Sequence, residues 1–101
     1  MTERARADVL QSPPVHFVYI LRCADGTLYT GSAKDPVARE RVHNAGRGAR
    51  YTSGRRPVQL VYSETCVSIG DALRREHQLK QWTRSEKEAL IARNGSVTAE
   101  A

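Results

Sequence analysis

The chain is poor in cysteine: Cys23 and Cys66 are its only two, with neither CxxC spacing nor a histidine cluster beside them. That argues against a disulfide framework or a zinc site, and both thiols are expected as small buried apolar groups. Long apolar runs are also missing. No stretch approaches the ~18 residues of a membrane span, and the leading MTERARADVLQSPP has no roughly 7–15-residue apolar segment of a secretory signal. The expected compartment is therefore cytoplasmic, with no membrane partner and no obligate protein partner evident. Acidic residues are scarce too, 11 against 16 Lys and Arg, for a net charge of +5. Such an excess draws polyanions by attraction and counterion release, which puts nucleic acid ahead of an anionic membrane.

What is present fits one domain, since 101 residues that are 40% hydrophobic supply one modest core. Residues 1–14 end in Ser12-Pro13-Pro14 and read as a loose arm, 15–94 as the domain, and 95–101 as a frayed tail. The β-rich run VHFVYILRC, then Ala24-Asp25-Gly26 and LYTGS, reads as a hairpin. A two-residue Asp25-Gly26 turn would set Tyr19 and Tyr29 on opposite faces, whereas a three-residue loop with Gly26 left-handed would set them on one. Asp35-Pro36 predicts a helix that Gly46 ends. A strand VQLVYSETC follows Pro57. Ser68 with Asp71 and Thr83 with Glu86 resemble capping boxes for two more helices, the last closed by Asn94-Gly95. The order ββαβαα, three strands with flanking helices, implies a compact α+β domain with a small sheet.

Charge is concentrated between Arg39 and Arg56. That segment holds Arg39, Arg41, Arg47, Arg50, Arg55 and Arg56 against Glu40 alone, with glycines at 46, 48 and 54. Guanidinium groups pair with phosphate in a bidentate way, and Tyr51 offers a stacking surface, so the segment is a candidate nucleic-acid contact. On the second long helix Ile69, Ala72, Leu73 and Leu79 form an apolar stripe that also contains Glu76. An inward carboxylate needs a cation, either an arginine or a metal ion, and Arg74, Arg75 and Lys80 lie close by in sequence. Arg39 and His43, four apart, share a helix face.

Phe17-Val18-Tyr19, Tyr29-Thr30-Gly31-Ser32, Arg39, His43 and Glu76 resemble, in order and spacing, the signature of the GIY-YIG endonuclease superfamily. Phe17 stands where that signature has Gly, and Thr30 where it has Ile. More narrowly, VYILRCADGTLYTG, HNAG, RRPVQLVYSE and ALRREHQLKQW resemble the small stand-alone bacterial members. The resemblance implies a small three-stranded antiparallel sheet flanked by helices, a concave active site on the sheet face and both tyrosines lining it, which favours the three-residue loop. It also implies that Glu76 is the metal-binding carboxylate, Arg39 the essential arginine and Tyr19 the tyrosine at the nucleophile, with Tyr29 and His43 supporting them.

The implied activity is hydrolysis of a phosphodiester by a nuclease dependent on magnesium or manganese, acting on DNA ahead of RNA. One carboxylate suffices for magnesium, which keeps most of its waters. Tyr19 can act as a base only where the metal or Arg39 lowers its pKa; otherwise it positions water. The alternative is a nucleic-acid-binding module with little or no catalysis. Glu64 is explained by its place at a strand end.

Overall fold

The computed structural model describes residues 16–94, so the expected arm, the tail and Gly95 lie outside the described residues. In chain order the elements are β1 (His16–Arg22), β2 (Leu28–Ala33), α1 (Pro36–Asn44), α2 (Arg50–Ser53), β3 (Gln59–Cys66), α3 (Ile69–Lys80) and α4 (Arg84–Arg93). The three strands make one antiparallel sheet in the order β2-β1-β3. Only α2, a single turn inside the Gly- and Arg-rich loop, was not expected.

Local chemistry explains each boundary. Cys23 N–H donates to the Thr27 carbonyl at 2.8 Å, which leaves Ala24-Asp25-Gly26 as a three-residue loop with Gly26 at φ 87°. This left-handed backbone suits glycine, and Asp25 Oδ1 accepts from the Thr27 N–H at 3.1 Å and its hydroxyl at 2.6 Å. Asp35 caps α1 by accepting from Ala38 N–H at 3.1 Å, with Pro36 in the first turn. Thr83 and Glu86 form both halves of a capping box on α4. Ser68 caps α3 alone, because the Asp71 carboxylate turns to Arg74 instead of back to Ser68.

The register decides what the sheet presents. Tyr19 opposes Gly31 and Leu21 opposes Tyr29, so both tyrosines share a face with Leu21, while Val18 and Ile20 point to the other. In β3 an irregularity leaves Ile20 opposite Tyr62 but Leu21 opposite Leu60, which sends Leu60 and Tyr62 to different faces. Two cores result. Val18, Ile20 and Tyr62 pack with Ala72, Leu79, Leu90 and Ile91 of α3 and α4. Across the sheet Tyr19, Leu21, Cys23 and Val58 form the second, joined by Tyr29 and Leu60. Both cysteines are buried and free, as expected.

The stripe on α3 is rotated from the one expected. Ala72 and Leu79 are fully buried, but Ile69 is 52% and Leu73 54% exposed. The inward strip instead runs through Ala72, Arg75, Glu76 and Leu79, because the two charged heads in it find partners: Arg75 meets Glu64 at 2.8 Å and Glu76 meets Lys80 at 2.8 Å.

Candidate active site

Helix α1 carries Arg39 and His43 on the face turned toward Tyr19. His43 is fully buried, and its Nε2 lies 3.0 Å from the Tyr19 hydroxyl. On the other side of the ring, Nδ1 lies 2.8 Å from Thr52 Oγ1. The Thr52 hydroxyl gives its one proton to the Ala49 carbonyl at 2.9 Å. In the tautomer whose Nδ1–H donates to Thr52, the Nε2 lone pair accepts from Tyr19. The Ala49 N–H also points at Nδ1, at the longer distance of 3.4 Å. The short helix α2 exists at this point to place Thr52 under the ring. Gly48 lets the loop close, since a Cβ there would stand 2.3 Å from His43 Nδ1.

Burial, helped by the positive charge of Arg39, lowers the His43 pKa, so the imidazole is neutral at pH 7. Burial and the neighbouring Tyr29 push the Tyr19 phenol up to about 12, with Glu76 adding to the rise; the nearby guanidinium of Arg39 opposes it and loses. Arg39 alone therefore does not make Tyr19 a base, and the phenol stays protonated. Its oxygen reaches across β2 over Gly31, where a Cβ would stand 2.6 Å from it. Tyr29 extends the aromatic row, 6.4 Å from the Tyr19 ring, 5.2 Å from His43 and 5.9 Å from Tyr51.

Glu76 enters from the other layer. Ser32 Oγ donates to its Oε1 at 2.9 Å and Lys80 Nζ pairs with Oε2 at 2.8 Å, leaving the side chain 17% exposed. Ser32 opposes Val18, so Glu76 is held on the Val18 face of the sheet, beside the edge strand β2. Its charge nonetheless acts on Tyr19. Tyr19, Tyr29, Arg39 and His43 thus gather on one face, whereas Glu76 is held by Ser32 at the β2 edge on the Val18 face. The expected arginine partners of Glu76 are engaged elsewhere: Arg74 holds Asp71 and Arg75 holds Glu64. Glu64 opposes Val18, on the face away from Tyr19, and is also bound by the Tyr62 hydroxyl. Glu64 does lie near the end of β3, and this half-buried network engages its carboxylate there.

The basic segment divides in two. Arg55 pairs with Asp25 at 3.1 Å, donates to the Tyr51 carbonyl at 2.7 Å and lies 4.0 Å over the Tyr51 ring. Arg56 is tied to the Ser53 and Asn44 carbonyls at 2.9 and 3.2 Å. Arg39, Arg41, Arg47 and Arg50 form no salt bridge among the described residues. They remain available to an anion, and half-buried Arg39 stands beside Tyr19.

Among the described residues no three or more His, Cys, Asp or Glu side chains cluster as a metal cage. The donor set at the site is one carboxylate oxygen pair, which suits a hard, mostly hydrated ion such as magnesium and not zinc. Sequence reasoning missed Ser32 as the partner of Glu76 and Thr52 as the partner of His43. Neither carries a local signal, because both contacts form only when distant segments meet.

The chain matches the model of the GIY-YIG catalytic domain over residues 15–89. It is 55% identical over 76 residues to a UPF0213 protein, SERP0126, of Staphylococcus epidermidis, covering 75% of this chain and 93% of that protein. A UPF0213 protein of Staphylococcus aureus matches with the same identity and coverage, 55% over 76 residues. Among solved structures, the solution NMR structure of UPF0213 protein BH0048 from Bacillus halodurans aligns with a TM-score of 0.52 at 42% identity, covering 79% of this chain and 85% of that one. The NMR structure of EF2693 from E. faecalis aligns with a TM-score of 0.53 at 37% identity, covering 76% and 82%.

Proposed function

The chain belongs to the GIY-YIG family, a nuclease family, and we propose that it is a divalent-metal-dependent endonuclease hydrolysing phosphodiester bonds, in DNA ahead of RNA. The observation that carries this reading is the position of Arg39. Its guanidinium, without a carboxylate partner among the described residues, lies close enough to the Tyr19 phenol for its charge to act on it, as the charge of Glu76 also does.

Each residue has a task that its surroundings fit. Arg39 clamps the phosphate oxygens and stabilises the charge that develops on them. The Tyr19 oxygen receives a proton from the attacking water while its own proton passes to His43 Nε2, 3.0 Å away. This relay needs no free phenolate, so a Tyr19 pKa of about 12 does not obstruct it. His43 must be neutral to accept, and burial keeps it so. Thr52 fixes the tautomer, and Tyr29 packs the ring in place. Glu76, oriented by Ser32, would hold magnesium or manganese, which supplies positive charge to the phosphate. Arg41, Arg47, Arg50 and Tyr51 would bind flanking nucleic acid, while Arg55 and Arg56 shape the loop.

The Lys80–Glu76 pair at 2.8 Å favours a second reading, a binding module in which the carboxylate is neutralised by lysine and no ion is recruited. Incubating the purified chain with labelled single-stranded, duplex and branched DNA, with magnesium or with chelator, separates the two. Cleavage only with the metal supports the endonuclease; binding without cleavage under any divalent ion supports the module.

A further inference from the structure

Along the β2 edge, toward the hairpin end, lies a cavity of about 220 Å³ lined by Thr27, Leu28, Tyr51, Arg84 and Lys87. Two rows of side chains connect it to the site. The aromatic row steps from Tyr19 to Tyr29 over 6.4 Å and from Tyr29 to Tyr51 over 5.9 Å. The cationic row runs from Lys80, which grips Glu76, to Lys87, close enough for one charge to be felt by the other.

Lys87 forms no salt bridge among the described residues, and it is half-buried. Burial and the charge of Lys80 both push its ammonium below the usual lysine range. A cation held there without a counter-charge is relieved by an anion. Arg84 is nearly as free: its side chain is 61% exposed and its contact with Glu88 is 3.5 Å. Glu88 is already engaged by Arg22 at 2.7 and 2.9 Å. Tyr51, 39% exposed, supplies an aromatic wall of the cavity, 5.9 Å from the Tyr29 ring of the site.

We propose that this cavity is a subsite for one unpaired nucleotide of the substrate strand, its base against Tyr51 and its phosphate between Lys87 and Arg84, so that single-stranded nucleic acid is preferred over duplex. The proposal rests on the reading of Arg39, Tyr19 and Glu76 as the cleavage site, from which the strand would run along β2. Duplex bases are stacked on one another and cannot reach an aromatic wall, whereas splayed bases can.

Anisotropy titrations of the full chain with labelled oligothymidylate and with a duplex of equal length, both in chelator, test it. Tyr51→Leu is expected to weaken oligothymidylate binding about tenfold and duplex binding less than about twofold, with Tyr51→Trp restoring the first. Lys87→Ala, on a helix surface away from the loop, should weaken oligothymidylate and reduce the log–log salt slope by about 0.7. If both Tyr51→Leu and Lys87→Ala bind oligothymidylate like the wild type, or if both lose the two ligands equally, the subsite is overturned. Cleavage of the same strand in magnesium separates the two claims. Cutting with Tyr51- and Lys87-independent binding removes the subsite and keeps the nuclease, while Tyr51- and Lys87-dependent binding without cutting supports the subsite and removes the nuclease.

Discussion

Tyr19 and His43, 24 residues apart, are joined by a 3.0 Å hydrogen bond from which solvent is excluded, the strand side chain being 1% and the helix side chain 0% exposed. With the imidazole neutral and Nδ1–H turned to Thr52, Tyr19 donates across this contact to His43.

That direction sets a pH dependence. The folded pKa of His43 lies below its ordinary value near 6.5. Between the two values the unfolded chain binds the extra proton, so stability rises with pH across that window and is level above it. His43→Gln should flatten this limb in urea melts measured from pH 5 to 7. Cleavage by the wild type should rise with pH through the lowered value and then plateau. A rate that follows the Tyr19 ionisation near 12 would remove the relay.

Gly31 is the only residue type that fits beneath the Tyr19 oxygen, since an added Cβ would stand 2.6 Å from it and 3.0 Å from the Tyr29 ring. Gly31→Ala should destabilise the domain by about 1–3 kcal/mol, read as a melting temperature roughly 4–8 °C lower per kcal/mol. Its cleavage should fall further than its folded fraction does, because the phenol is displaced. Equal losses would make Gly31 purely structural.

Much of this architecture was legible in the chain. The caps at Asp35-Pro36, Ser68 and Thr83 depend on neighbours three residues away, and local chemistry suffices to read them. The hairpin was legible as a choice between two loops, which the resemblance tipped toward the one formed. Helix α2 escaped because four residues, Arg50–Ser53, show no period and Ala49 offers no side-chain cap. Ile69 and Leu73 were expected inward because hydropathy alone orients a stripe, whereas Arg75 and Glu76 displaced them once Glu64, Ser32 and Lys80 supplied partners. Of the candidate site, residue identities were visible, but the place of Glu76 beside β2, on the Val18 face, depends on its contact with Ser32, 44 residues away.

The Lys80 ammonium occupies the carboxylate that would hold the metal, and this contact raises the Lys80 pKa. Lys80→Met should therefore lower the magnesium concentration giving half-maximal cleavage, by severalfold, at unchanged pH. A half-saturation point that does not move would mean that lysine and ion do not share Glu76.

Arg39→Ala should reduce cleavage by roughly 10²–10³, the usual cost of losing one charge-stabilising donor, and weaken binding as well. Replacing Arg41, Arg47 and Arg50 together should instead leave cleavage at saturating DNA nearly intact while flattening the salt slope, by about 0.9 for each duplex phosphate that is no longer neutralised. An unchanged slope would move the binding surface elsewhere.

The most direct test is cleavage by Glu76→Gln, measured beside its melting temperature and its affinity for the same labelled DNA. The variant keeps the shape of the side chain and an acceptor for Ser32, but removes the charge that would hold the ion. The expected result is a folded protein that binds DNA as well as the wild type or slightly better and no longer cuts it in magnesium. Full magnesium-dependent cleavage by well-folded Glu76→Gln would contradict the assignment of Glu76 as the metal ligand.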